Sequence, residues 1–125
     1  MARPNSIAEI ARRDSFDRAV RELLDEWQSL DADSRAAALA EAPPVLSPIK
    51  DAYLAALAEH LALSAGLAPP DWAAAPERFL QEPFFAGGLE SLKATLLAES
   101  PLAFRRRLIF ISADGLSRPQ RRPAA

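Results

Sequence analysis

Three successive arginines, Arg105, Arg106 and Arg107, stand between a helix-like stretch and the apolar run of residues 108–111 in "ESPLAFRRRLIFISADGLSRP". Guanidinium groups clustered in this way can grip phosphates, dock on the carboxylates of a partner, or solvate a helix face. Arg118, Arg121 and Arg122 extend the cluster towards the C-terminus. If all six touched phosphates, log affinity would fall against log salt with a slope of about −5. Three successive helical residues, however, spread over about 200° of the helix circumference, so they cannot all face one strand of phosphates. At least one is expected to pair with acidic residues of its own chain. A surface pair contributes less than ~1 kcal/mol, so stability alone does not account for the cluster and a partner surface is the better account.

Acid–base chemistry has less to work with. His60 is the only imidazole, and its neighbour Glu59 points about 100° away around a helix, so the two do not form a pair on one face. Glu77, Glu82 and Glu90 come without the spacing of a metal or carboxylate-pair motif. The Gly pair in "AGGLESLK" lacks the spacing of either phosphate-cradling loop, and it reads as a turn. With no cysteine, thiolate nucleophiles, disulfides and cysteine-based metal sites are excluded. No catalytic residue, metal ligand or cofactor is therefore assigned; an enzyme would need acidic side chains that assemble a site only in the fold.

Ala62 and Gly66 reproduce the Ala-x3-Gly spacing at the tight turn of helix-turn-helix units. The recognition helix should then fall on "LAPPDWAAAPERF", which carries three prolines and Arg78 as its one cation. A reader of base edges needs several Arg, Lys, Asn or Gln side chains on one helix face, so this reading fails on composition. Among the aromatic residues, Phe16, Trp27, Tyr53 and Phe79 read as core. In "EPFFAGG" two adjacent phenylalanines in a loop flanked by Pro and Gly cannot easily both point inward, so one of Phe84 and Phe85 is expected to be an exposed anchor.

The elements that must position these residues are helical. Asp14 can cap a helix whose Phe16, Val20, Leu23, Trp27 and Leu30 make one apolar stripe, and a shorter helix capped by Asn5 or Ser6 precedes it, packing Ile7 and Ile10. Asp33 or Ser34 can cap a third helix that ends before Pro43 and Pro44. Ser47 and Pro48 start a central helix over residues 48–65, stopped by Gly66, with Ile49, Tyr53, Leu54, Leu57, Leu61 and Leu63 as its wide apolar face. Residues 67–88 are broken by Pro69, Pro70, Pro76 and Pro83, anchored by Trp72, Phe79, Phe84 and Phe85, and ended by Gly87 and Gly88. A further helix is expected over residues 89–99, with Leu89, Leu92, Leu96 and Leu97 inward, and a last one from Pro101 that includes residues 104–107. Residues 108–111 are ambiguous between strand and buried helix end; with no second convincing strand, helix or an extended docking segment is preferred.

Composition sets the frame. The 125 residues are one domain's worth, half apolar and about a quarter charged, which is ordinary globular composition. The longest stretch without an ionisable group, residues 61–70, is far short of the ~20 apolar residues of a bilayer span. The N-terminus has no continuous apolar region of the signal-peptide kind, so a cytoplasmic address is expected. Charge is uneven: residues 1–100 hold nine Lys or Arg against sixteen Asp or Glu, whereas residues 101–125 hold six Arg against Asp114 alone. An acidic body with a basic end suggests an acidic partner, a nucleic acid, or contact between the two ends in one or two chains, a homo-oligomer included. The excess of Arg over Lys and the abundance of Ala also follow from GC-rich codons.

Trp72, "RFL" at 78–80, "PFF" at 83–85, "SP" at 100–101, "FRRR" at 104–107, "IF" at 109–110 and Leu116 together resemble a group of small uncharacterised bacterial helical proteins of GC-rich genomes. Members of this group are encoded beside nucleotidyltransferase-like toxins, so the resemblance implies an antitoxin or accessory role; it covers about half the chain and carries over no catalytic residue.

The expectation is thus an all-α single domain over residues 1–116, an irregular bundle of five or six helices, with residues 117–125 as a disordered basic tail. Its function would be non-enzymatic protein interaction, through Phe84, Phe85, Arg105, Arg106, Arg107 and Phe110. The alternative is sequence-nonspecific nucleic-acid binding through Arg105, Arg106, Arg107, Arg118, Arg121 and Arg122.

Overall fold

The computed structural model describes residues 6–13, 15–86, 93–112 and 116. Six α-helices occur among them: α1 (Ile7–Ile10), α2 (Phe16–Trp27), α3 (Ala32–Ala40), α4 (Pro48–Ser64), α5 (Lys93–Glu99) and α6 (Leu102–Arg105). Two 3₁₀ turns, Asp71–Ala74 and Pro76–Arg78, follow α4, and two short strands, β1 (Phe84–Phe85) and β2 (Ile109–Phe110), form a parallel pair. The all-α class holds, and this tiny sheet is its one exception among the described residues.

The central helix is α4. Its start carries the expected Ser47 and Pro48, but the Ser47 side chain makes no capping hydrogen bond. Asp51, one turn inside the helix, replaces it: Oδ1 accepts from the Leu46 amide at 2.8 Å and from the Ser47 amide at 3.4 Å. At the other end Gly66 has φ +73°, the Leu67 amide donates to the Ala62 carbonyl at 2.8 Å, and the Gly66 amide donates to the Leu63 carbonyl at 3.2 Å. These paired bonds close the helix on a left-handed residue that only glycine adopts without steric cost.

Burial of α4 is nearly complete over residues 51–62. Leu54, Leu57 and Leu61 are covered on one side, while Ala52, Ala55, Ala56 and Ala62 let α6 and the two 3₁₀ turns approach closely on the other. A helix apolar on all sides must be enclosed, and the neighbouring segments enclose it. Ile49 and Leu63, expected inward, are exposed instead, because they lie near the two ends where no element among the described residues covers them. An aromatic chain ties α2 and α6 to this helix: Phe16 meets Tyr53 edge-on at 5.7 Å, and Tyr53 meets Phe104 at 5.2 Å.

The flanking helices follow the expected spacing with different caps. Ala19, Val20, Leu23, Leu24 and Trp27 form the buried stripe of α2, and Ser15 is its cap; Asp14, the expected cap, lies outside the described residues. Ser6 caps α1, as one of the two expected residues, while Asn5 lies outside the described residues. For α3 the cap is Asp31, whose Oδ1 accepts from the Ser34 amide at 2.8 Å, rather than Asp33 or Ser34, which fall within the first turn. Trp72 donates Nε1–H to the Leu39 carbonyl at 2.9 Å, and Arg78 donates from Nη2 to the Pro43 carbonyl at 2.7 Å while lying over the Trp72 ring. The proline-broken segment is thereby held onto α3 and the loop that follows it.

The C-terminal elements depart most from expectation. Residues 87–92 lie outside the described residues, so the expected inward Leu89 and Leu92 and the glycine turn are not placed; Leu96 is buried and Leu97 is exposed. Pro101 is the residue before α6 rather than its first helical position, and the helix ends at Arg105. Residues 108–111 supply a strand, contrary to the preference for helix or a docking segment. Its intramolecular partner is the Phe84–Phe85 pair, aligned Phe84 to Ile109 and Phe85 to Phe110, with the Phe84 amide donating to the Leu108 carbonyl at 2.8 Å. Leu108 makes the change of direction by taking φ +63°, a left-handed conformation that costs a residue with a Cβ about 1–2 kcal/mol. No helix among the described residues is long and apolar enough to cross a membrane.

Buried Ser100 joins these pieces. Its hydroxyl accepts from the Ile111 amide at 2.8 Å and lies within donating distance of the Leu96 and Ile111 carbonyls. Ser100→Ala leaves the Ile111 amide buried without a partner, an expected loss of about 1–3 kcal/mol in urea unfolding.

Candidate functional site

The site is built around a carboxylate on the small-residue face of α4. Glu59 lies one turn from Ala55, Ala56 and Ala62, is itself buried, and therefore needs a counter-charge inside the protein. Two arginines from the turn after α6 supply it, one to each oxygen. Arg107 Nη2 stands 3.0 Å from Oε1, and Arg106 Nη1 donates to Oε2 at 2.9 Å. Phe79 packs beside both guanidinium groups, with its ring centre 4.5 Å from Arg107 Cζ and 5.9 Å from Arg106 Cζ.

Arg107 is 0 % exposed, the largest fully buried side chain among the described residues. Besides Glu59 it donates from Nη1 to the Ala103 carbonyl at 2.8 Å and from Nη2 to the Ala73 carbonyl at 2.7 Å. Burial lowers its pKa, while the hydrogen bond and charge of Glu59 raise it and the like charge of Arg106 lowers it. A guanidinium starts so far above neutrality that it stays charged. Among the described residues two buried donors lack an acceptor, Arg107 Nε and Arg78 Nη1.

The structure separates the residues that the sequence grouped. Arg107 is withdrawn from the surface and holds α6 to α4 and the first 3₁₀ turn, so it cannot contact a partner; Phe110 is likewise buried, with Phe85 stacked on it at 5.0 Å. Arg106 is half-exposed on its outer side, and Arg105 is exposed, donating from Nη2 to the Ser100 carbonyl at 3.0 Å. The expectation that at least one arginine of the trio pairs within the chain holds for Arg106 and Arg107. Phe84 and Phe85 are both half-buried, so neither is the exposed anchor expected of the pair. Arg118, Arg121 and Arg122 lie outside the described residues.

Two large apolar side chains stand out near the remaining arginines. Leu102 is 65 % exposed and precedes Arg106 by one turn, and Leu97 on α5 is 47 % exposed. A second exposed apolar area, formed by Val45, Leu46 and Ile49, adjoins a groove of about 510 Å³ that runs from the start of α4 to Phe84.

The other candidates are also placed. His60 is half-buried with its ring 6.2 Å from that of Phe104, and burial lowers its pKa. Downstream of Gly66 come the two 3₁₀ turns rather than a recognition helix, and Arg78 points inward. Among the described residues no three His, Asp or Glu side chains come together as metal ligands would. Sequence reasoning missed Glu59 as a partner for the arginines; its place on a stripe of alanines was the available signal. No family model, curated protein or solved structure matches the chain.

Glu59→Gln leaves Arg107 buried without a counter-charge, an expected loss of about 3–5 kcal/mol in urea unfolding. Arg106→Ala, at a half-exposed position, is expected to lose less than ~1 kcal/mol in the same measurement. His60 adds a pH dependence. Because its folded pKa lies below the unfolded value of ~6.5, the unfolded chain binds more protons, and stability falls as pH drops below ~6.5 towards the folded pKa. Urea midpoints of wild type and His60→Gln, measured from pH 7.5 to pH 5, should show a shallower decline in the variant.

Proposed function

We propose that the chain is a cytosolic, non-enzymatic interaction protein that binds another protein, acting as an antitoxin or accessory subunit of a partner enzyme. The observation that carries this reading is the juxtaposition of exposed Leu102 with Arg106, whose charge is the surplus over Glu59, and of exposed Leu97 with Arg105 nearby. An exposed apolar residue beside a cation is the composition of a docking surface for a partner that presents apolar and acidic groups together. The contact surface is accordingly smaller than the sequence suggested. It keeps Arg105 and Arg106 from the arginine trio and adds Leu97 and Leu102. A nucleotidyltransferase-like toxin is the partner class implied by the resemblance of the C-terminal half.

Co-expression with the protein encoded in the adjacent reading frame, followed by size-exclusion chromatography and mass analysis, should recover a stoichiometric complex. Arg105→Glu and Arg106→Glu together with Leu102→Ala should weaken it at least tenfold while the chain stays folded. Undiminished recovery with that variant overturns the reading. So does a complex with arbitrary duplex DNA in place of the protein, weakening with salt as two to five neutralised phosphates require; it would point to Arg105 and Arg106 with Arg118, Arg121 and Arg122 as nucleic-acid contacts.

A further inference from the structure

The groove of about 510 Å³ is lined by neither Leu97 nor Leu102; it shares the Phe79 ring with the arginine pair, Arg106 Cζ lying 5.9 Å from that ring, but its own lining has a different chemistry. Its walls are Pro48, Ile49, Pro76, Phe79, Pro83 and Phe84, so proline rings and two aromatic rings dominate. Its only ionisable lining residues are Glu77 and Glu82. Both are exposed, and among the described residues neither has an ion-pair partner. Exposed Val45 and Leu46 prolong the apolar floor beyond Ile49. Grooves lined by aromatic and proline side chains take proline-bearing extended segments, whose backbone is preset and has little entropy to lose on binding. Acidic residues at the lip select basic ones in the ligand.

The chain itself contains such a segment. Residues 117–125, "SRPQRRPAA", hold two prolines, three arginines and no carboxylate side chain. In a polyproline II backbone, with three residues per turn, Arg118 and Arg121 fall on one edge about 9 Å apart, able to meet two separate carboxylates. The segment starts beside Leu116, which is half-buried against the core. At about 3.1 Å per residue Arg118 lies within about 6 Å of Leu116 and Arg121 within about 16 Å, with the side chains adding to both, so Arg121 and Arg122 are the arginines able to cross a distance comparable to the ~13 Å radius of gyration of a domain of about 100 residues. Arg105 and Arg106 at the Leu97 and Leu102 surface repel the same segment, and Arg106, beside Phe79, confines its approach to the Glu77 and Glu82 side of the groove.

We infer that this groove is the docking site for residues 117–125 of the same chain, with the arginines paired to Glu77 and Glu82. The basic end of the molecule is then engaged at home, and the groove accepts arginine- and proline-bearing extended peptides as a class. The partner protein of the preceding reading is not required, so the two stand or fall separately.

The absence of cysteine gives a clean test, because Ala125→Cys creates a single attachment point for a nitroxide label on the full chain. In dilute isotopically labelled protein, the amide signals of Ile49, Leu80 and Phe84 should lose most of their intensity, while those of Val20 and Leu24 on α2 keep theirs. Glu77→Gln with Glu82→Gln, both exposed positions, should restore the lost signals, and so should 1 M salt, where the Debye length falls to about 3 Å. Uniform or absent broadening overturns the inference, as does broadening centred on Leu97 and Leu102. Broadening seen only when label and isotope are on different copies overturns it in favour of exchange between molecules.

Discussion

A carboxylate buried on the central helix must be neutralised where it stands, and the C-terminal third of the protein is arranged to do this. Glu59 sits on the face of α4 where alanines admit close neighbours, so water cannot serve it. The two guanidinium groups that reach it come from consecutive residues, and one of them is wholly enclosed. A buried ion pair of this kind adds little net stability over a well-packed apolar pair, but it penalises any arrangement that leaves one charge alone. Its effect is to specify how α6 and the first 3₁₀ turn dock rather than to strengthen the core.

The constraint propagates along the chain in both directions. Bringing Arg107 inside requires α6 to end at Arg105 and the backbone to turn sharply, and Leu108 accepts a left-handed conformation to achieve this. The chain then leaves in the direction that lets Ile109 and Phe110 pair with Phe84 and Phe85. On the other side Arg107 binds the Ala73 carbonyl, and Trp72 and Arg78 bind the carbonyls of Leu39 and Pro43. A segment broken by four prolines has few backbone hydrogen bonds of its own. Three side chains therefore hold it in place, and two of them are arginines serving the interior rather than solvent.

What could be read from the sequence was what depends on local rules. The 3.6-residue spacing of Val20, Leu23 and Trp27 defines α2, and Pro48 with Gly66 bounds α4 to within a residue, because caps and left-handed stops act through the backbone nearby. The cap of α3 was displaced to Asp31, since Asp31, Asp33 and Ser34 are all good caps and only the backbone path decides among them. The strand at Ile109 and Phe110 was not legible, as a two-residue partner 25 positions earlier has no periodicity and a left-handed leucine has no sequence signature. The helical spread of the arginine trio did imply that the three would part company. That Arg107 would be the enclosed one depends on Glu59, a contact 48 residues away, and on the alanine face around it.

The alanines of α4 bear on how the composition of this chain should be understood. Ala52, Ala55, Ala56, Ala58 and Ala62 are all fully enclosed, whereas Ala36 and Ala37 on α3 are open to solvent. At the exposed pair, nucleotide bias is a sufficient explanation for the residue. At the enclosed five, each added methyl group would push neighbouring segments off the helix, and at Ala52, Ala55, Ala56 and Ala62, on the face of Glu59, it would draw the arginines away from their carboxylate. The same amino acid is thus freely replaceable in one helix and sterically compulsory in the next.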